Sequence, residues 1–82
     1  MTVAERVKKV VKEVLKVDES KIVPAAHFVR DLGAESIQSI ELVAAFEEEF
    51  DIEMDQDEAL AVDTVAAATD YISKVMKAQG KK

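Results

Sequence analysis

Few side chains in this 82-residue chain are suited to chemistry: there is no cysteine and a single histidine. Ser36 stands out by its surroundings, 31-DLGAESIQSIELVAAFEEEF-50, where a hydroxyl follows a glycine and two acids and opens a long amphipathic run. A serine nucleophile needs a base within hydrogen-bond reach, and nothing near Ser36 in the chain supplies one. His27 lies in a segment without periodicity and reads as an ordinary loop residue. Two readings of Ser36 remain. It is a helix N-cap, or it is itself modified, because the dipole and free N–H groups of a helix start tolerate the charge of a phosphodiester. Gly33 just before it permits a sharp reversal that leaves the hydroxyl accessible. A second cluster, 51-DIEMDQDE-58, has the alternate acids of a calcium loop. However, Gln56 stands where that loop needs glycine and Val62 where it needs a bidentate glutamate, so only diffuse cation binding is expected.

The elements that must position these residues follow from apolar spacing. T-V-A-E at the start reads as a capping box, with Thr2 as cap and Glu5 three residues on. Val3, Val7, Val10, Val11, Val14 and Leu15 then share one helical face, with Lys8, Lys9, Lys12 and Lys16 on the other. From Val17 to Gly33 the periodicity is lost and Pro24 opposes a helix, which predicts a long loop anchored by Ile22, Val23, Phe28 and Leu32. A second helix is expected from about Ser36 to Phe50, a short one near Gln56–Ala61, and a last one capped by Asp63 or Thr64. The last carries the stripe Val65, Ala68, Ile72, Val75 and Met76 and ends before Gly80. No segment alternates with period two. The expected fold is all-α: a small four-helix bundle, three helices long and one short, with the long loop between the first and second. One domain spans 1–82, with a flexible tail at about 78–82.

The second helix carries more apolar surface than a core needs. Leu42, Val43, Phe46 and Phe50 fall on one face; Ile37, Ile40 and Ala44 fall almost opposite, among Glu41, Glu47 and Glu48. The second stripe either packs beneath the loop or the short helix, or is a partner site in which apolar contact supplies affinity and charge supplies steering. The charge distribution bears on this choice. Residues 31–63 hold twelve acids and no base, within a net charge of -6. Such a field disfavours nucleic acid and favours basic partners, unless it only solubilises the chain. The basic first helix reads as a solvated face. No stretch approaches the ~18 apolar residues of a membrane span, and no signal peptide is visible, so a cytoplasmic monomer is expected.

The run D-L-G-A-E-S-I, followed by I-E-L-V-A-A-F-E-E-E-F-D-I-E, resembles the acyl carrier protein family, whose motif is D-S-L within D-L-G-A-D-S-L. V-D-E-S-K-I-V-P, F-V-R-D-L-G and T-V-A-A-A-T-D-Y-I resemble it too, so the likeness covers residues 3–76. The resemblance implies a non-enzymatic carrier. Ser36 would receive 4'-phosphopantetheine from coenzyme A through a holo-synthase, and the imported thiol would carry acyl groups as thioesters, which fits a chain without cysteine. It also implies that the second helix docks basic patches on acyl-processing enzymes, a role that maps onto Asp31, Glu35, Ile37, Ile40, Glu41, Ala44, Glu47 and Glu48. An interior lined by Phe28, Leu42, Phe46 and Ile72 would shelter the acyl chain. This sequence departs from the family in having Glu35 for the usual Asp, Ile37 for Leu, and Ala44 where Met is common. These departures make a specialised carrier, in polyketide, lipid-modification or aminoacyl pathways, as fitting as one for fatty acid synthesis. An acidic adaptor domain or a divalent-cation binder without a prosthetic group is the alternative.

Overall fold

The computed structural model describes residues 2–80 and holds four α-helices: α1 (Val3–Leu15), α2 (Ser36–Phe50), α3 (Gln56–Leu60) and α4 (Val65–Ala78). This is the four-helix arrangement of three long helices and one short that periodicity predicts. Thr2 and Glu5 cap α1 reciprocally, at 3.1 and 2.9 Å, and Lys16 closes it in the left-handed region at φ 54°. Because valine is a mediocre helix former, packing must hold α1. It does so through Val7, Val10, Val11 and Leu15, all buried against α2 and α4. Arg6 adds a tie to α2: its Nε donates to Glu49 Oε2 at 2.9 Å and its guanidinium lies 4.4 Å above the Phe50 ring. The hydrogen bond from Arg6, aided by the Lys9 charge, holds the Glu49 carboxyl below the usual carboxylate range. A depressed pKa gives stability that is present above the unfolded value and lost as pH falls through the folded one, so this tie is lost only as pH falls below the usual carboxylate range.

The loop between α1 and α2 is ordered by specific bonds. Asp18 caps a 3-10 turn, Glu19–Lys21, by accepting the Ser20 N–H at 3.0 Å. Ile22, Ala26, Phe28, Leu32 and Ala34 are buried, but Val23, expected as an anchor, is 48% exposed. The loop is instead stitched to the start of α4. Phe28 N–H donates to the Asp63 carbonyl, while the N–H groups of Val65 and Ala66 donate to the carbonyls of Ala26 and Pro24, at 2.9–3.0 Å. These bonds flank an isolated antiparallel bridge between His27 and Thr64. With Thr64 Oγ1 accepting from Ala67, the first N–H groups of α4 find acceptors outside the helix. Thr64, rather than Asp63, is the cap.

At the C-terminal end, Gln79 is tied to the Glu53 backbone by two hydrogen bonds, at 2.7 and 3.0 Å. Of the tail expected at about 78–82, Ala78 ends α4 and residues 81–82 lie outside the described residues. No described helix is long and apolar enough to cross a membrane.

Candidate attachment site

Ser36 is the first residue of α2, and its cap is Glu35, in extended geometry at φ -88° and ψ 165°. This corrects the reading of Ser36 as a cap. Gln38 Oε1 reaches back to accept the Glu35 N–H at 2.9 Å, and Ser39 N–H donates to the Glu35 carbonyl at 3.0 Å, so the helix start is secured without the Ser36 hydroxyl. Ser36 is exposed, and its Oγ has no hydrogen-bond partner among the described residues. The other serines differ. Ser20, Ser39 and Ser73 donate their hydroxyls to Asp18 Oδ1, the Glu35 carbonyl and the Thr69 carbonyl. Gly33, at φ 71°, makes the reversal that brings the chain into α2. Left-handed backbone costs a residue with a Cβ roughly 1–2 kcal/mol. The N–H groups of the first turn have no intrahelical acceptor, which with the helix dipole makes this end hospitable to a phosphate.

The two stripes of α2 separate as the wheel predicts. Leu42, Phe46 and Phe50 are buried, whereas Ile37 is 67% and Ile40 49% exposed, beside exposed Glu41, Ala44 and Glu48. Neither isoleucine packs under the loop or α3. Glu47 is half-buried, and its Oε2 accepts the Met54 N–H at 2.9 Å, so one of its oxygens serves the fold. Asp31 is exposed, yet its Oδ2 accepts the His27 N–H at 2.7 Å.

One turn beyond Ser36, at Ser39, a narrow cleft opens between α2, α3 and α4. Phe28, Leu42, Phe46 and Ile72 all line it. Sequence reasoning did not single out other parts of the wall, among them Val29 and Leu60 at the surface, 55% and 42% exposed, and Met54, Val62 and Tyr71. Their spacing carries no signal, because loop and short-helix residues share no period with α2. Tyr71 O–H donates to Glu58 Oε1 at 3.3 Å, linking α4 to α3 across the cleft. Burial, with the charge of Glu58, pushes the Tyr71 phenol pKa up. The free space is about 80 Å³. An engineered cavity of roughly 150 Å³ takes benzene, so the cleft as it stands admits only a few carbons. Only Ala59 of the five residues of α3 is buried, which makes α3 the wall with least to lose by moving.

The family model for the phosphopantetheine attachment site matches residues 5–72. The chain belongs to this family. Members carry 4'-phosphopantetheine covalently, and a domain of this kind is a carrier and not a catalyst. The residues present suit the group: an accessible hydroxyl engaged nowhere else, at a helix start, with an apolar cleft one turn away. In a phosphopantetheine carrier the prosthetic group supplies a terminal thiol that holds cargo as a thioester; the chain's own residues present and shelter it. Among the described residues, no group of three or more His, Cys, Asp or Glu side chains comes together as a set of metal ligands.

The twelve acids between 31 and 63 have no basic residue among them in the chain, and their mutual repulsion is only locally offset, as where Glu49 meets Arg6 and Lys9. At neutral pH and low ionic strength, adding 0.1 M salt or a few millimolar Mg2+ is expected to stabilise the fold by about 1 kcal/mol, some 4–8 °C in Tm, through screening. Thermal melts check this; a Tm insensitive to both additions would refute it.

Proposed function

We propose that Ser36 carries the 4'-phosphopantetheine and that the protein is an acyl carrier, delivering thioester-bound acyl intermediates to enzymes of fatty acid or specialised lipid or polyketide synthesis. The observation that carries this reading is the free, exposed Ser36 hydroxyl at the head of α2 in a chain of this family. In loading, Ser36 Oγ displaces 3',5'-adenosine bisphosphate from the pyrophosphate of coenzyme A; a new phosphoester forms, the P–O bond to the leaving nucleotide breaks, and the hydroxyl proton departs. The holo-synthase must supply the base, since among the described residues no side chain hydrogen-bonds to the Ser36 hydroxyl.

The exposed pair Ile37 and Ile40, with Ala44 between Glu41 and Glu48, suits docking by a basic patch with an apolar centre. Asp31, Glu35 and the outward part of Glu47 extend the acidic rim. The cleft lined by Phe28, Leu42, Phe46 and Ile72 is the proposed shelter for the acyl chain, opened by outward movement of α3. The test is intact mass after incubation with coenzyme A and a holo-synthase. A gain of one phosphopantetheinyl group on the wild type supports the reading, and no gain with any holo-synthase tried removes it.

The departures at Glu35, Ile37 and Ala44 bear on the pathway. Losing a few methylenes at a desolvated contact costs roughly 1–3 kcal/mol, tenfold or more in affinity. A Glu35→Asp, Ile37→Leu, Ala44→Met variant is therefore expected to be loaded and elongated about tenfold more efficiently by general fatty acid enzymes than the wild type. Equal kcat/KM for the two proteins at every step would instead make this a carrier for ordinary fatty acid synthesis.

A further inference from the structure

His27 commits its ring Nδ1 and both backbone polar groups to the turn that leads to Ser36. Its Nδ1 accepts the N–H groups of Val29 and Arg30, each at 3.1 Å. Its carbonyl accepts those of Asp31 and Leu32, at 2.9 and 3.1 Å, and its own N–H donates to Asp31 Oδ2 at 2.7 Å. Nε2 lies 3.7 Å from Asp63 Oδ2, on the segment entering α4. This is the logic of a reciprocal helix cap: a side chain at the start accepts N–H groups two and three residues on, while a carboxylate one turn later accepts the N–H at the start. A neutral imidazole has one acceptor nitrogen, so two bonds accepted at Nδ1 put the proton on Nε2, facing Asp63.

We propose that His27 is a positioning residue for the loading of Ser36: unprotonated, its Nδ1 caps the turn that carries the chain into α2, and protonation releases that turn. The proposal rests on the assignment of the attachment to Ser36, since loading is its functional readout.

Protonation converts Nδ1 from acceptor to donor, and the Val29 and Arg30 N–H groups lose their partner. The charged group that the structure places against the ring is Asp63, from the segment before α4, at Nε2; Asp31 accepts the His27 backbone N–H, and Arg30 meets Nδ1 through its backbone N–H. Asp63 then pairs with the imidazolium, which keeps the bridge to Thr64, and Asp31 retains the His27 N–H. The loss falls on the two bonds within the turn. That turn carries Val29 at the cleft and runs through buried Leu32 and Ala34 into the cap Glu35, so loosening it spreads the conformations in which Ser36 is presented.

His27→Asn keeps a side-chain oxygen able to accept N–H groups two and three residues on and does not titrate; His27→Ala has neither property. The measurements run from pH 5 to 8, the range in which an imidazole changes charge. They are the protection of the Val29 and Arg30 amides against exchange, corrected for intrinsic rates, and KM and kcat for phosphopantetheine transfer from coenzyme A by one holo-synthase. Ratios between proteins at each pH cancel the synthase's own pH dependence. Relative to His27→Asn, the wild type is expected to lose protection at the two amides about fivefold on the acid side, with KM rising by a similar factor and kcat level. His27→Ala is expected to behave at every pH like the acid wild type. A flat wild-type to Asn ratio in KM, or equal protection in wild type and Ala at pH 8, overturns the proposal. Should His27→Ala fail to fold, the wild-type and Asn comparison decides alone. If the wild type is not loaded at all, the Ser36 assignment falls instead, and amide protection still judges the cap.

Discussion

Replacing Ser36 by alanine is expected to abolish transfer of phosphopantetheine from coenzyme A and to change stability by no more than about 0.5 kcal/mol. The first expectation follows from chemistry: alanine has no oxygen to attack phosphorus, and the other three serine hydroxyls are already donating to acceptors. The second follows from the capping geometry. A serine cap would cost ~1 kcal/mol to remove, but here Glu35 is the cap, with Gln38 holding its N–H and Ser39 bonded to its carbonyl. Intact mass and a thermal melt read the two outcomes separately. A phosphopantetheinyl gain on the alanine variant would move the site elsewhere, and a large fall in Tm would make Ser36 a structural residue.

Ile72→Ala is expected to destabilise the protein by about 2–5 kcal/mol, the range for truncating a buried aliphatic side chain. Ile72 is 0% exposed, lines the cleft and belongs to the same core cluster as the α1 valines, so its loss leaves a void that Leu42 and Phe46 cannot fill without disturbing α2. For a domain of this size each kcal/mol is worth roughly 4–8 °C in Tm, which places the variant well below the wild type. Because the void adjoins the proposed acyl shelter, part of the loss should return when the variant is loaded and acylated, as the chain occupies the emptied space. Melts of apo, holo and acylated forms over several chain lengths measure this. A drop under about 1 kcal/mol would mean that the core collapses around the site, and no recovery with any chain would remove the cleft as the place where the chain lies.

Much of this architecture is written in local pattern. The capping box of Thr2 and Glu5, the valine face of α1 and the stop at Gly80 need only neighbours within a turn or two, and they appear where spacing puts them. Features that failed to read are those with distant partners. Ile22 and Val23 are adjacent β-branched residues of nearly equal hydropathy, yet one is buried and the other exposed, because the loop's direction is set by its bonds to residues 63–66. Gln79 has no neighbour along the chain that points to its two hydrogen bonds with the Glu53 backbone, which the turn after α2 brings to it. His27 reads as filler because its ring acts through backbone N–H groups, which leave no mark in a sequence beyond the acid four residues on.

By itself the sequence determined the number and kind of the helices, the uncompensated acidic middle, and a serine in the setting of an attachment motif. All three follow from residue type and spacing along one chain. The tertiary structure decided which of the two apolar stripes of α2 turns inward, that Glu35 caps the helix and leaves Ser36 free, and that Phe28, Leu42, Phe46 and Ile72 meet along a single cleft. Periodicity states which residues share a face; it does not state which face finds a partner. That choice belongs to the free energy of contacts between segments far apart in sequence, here α1 packing on α2 around a core that holds Leu42 and Phe46, while Ile37 and Ile40 stay exposed.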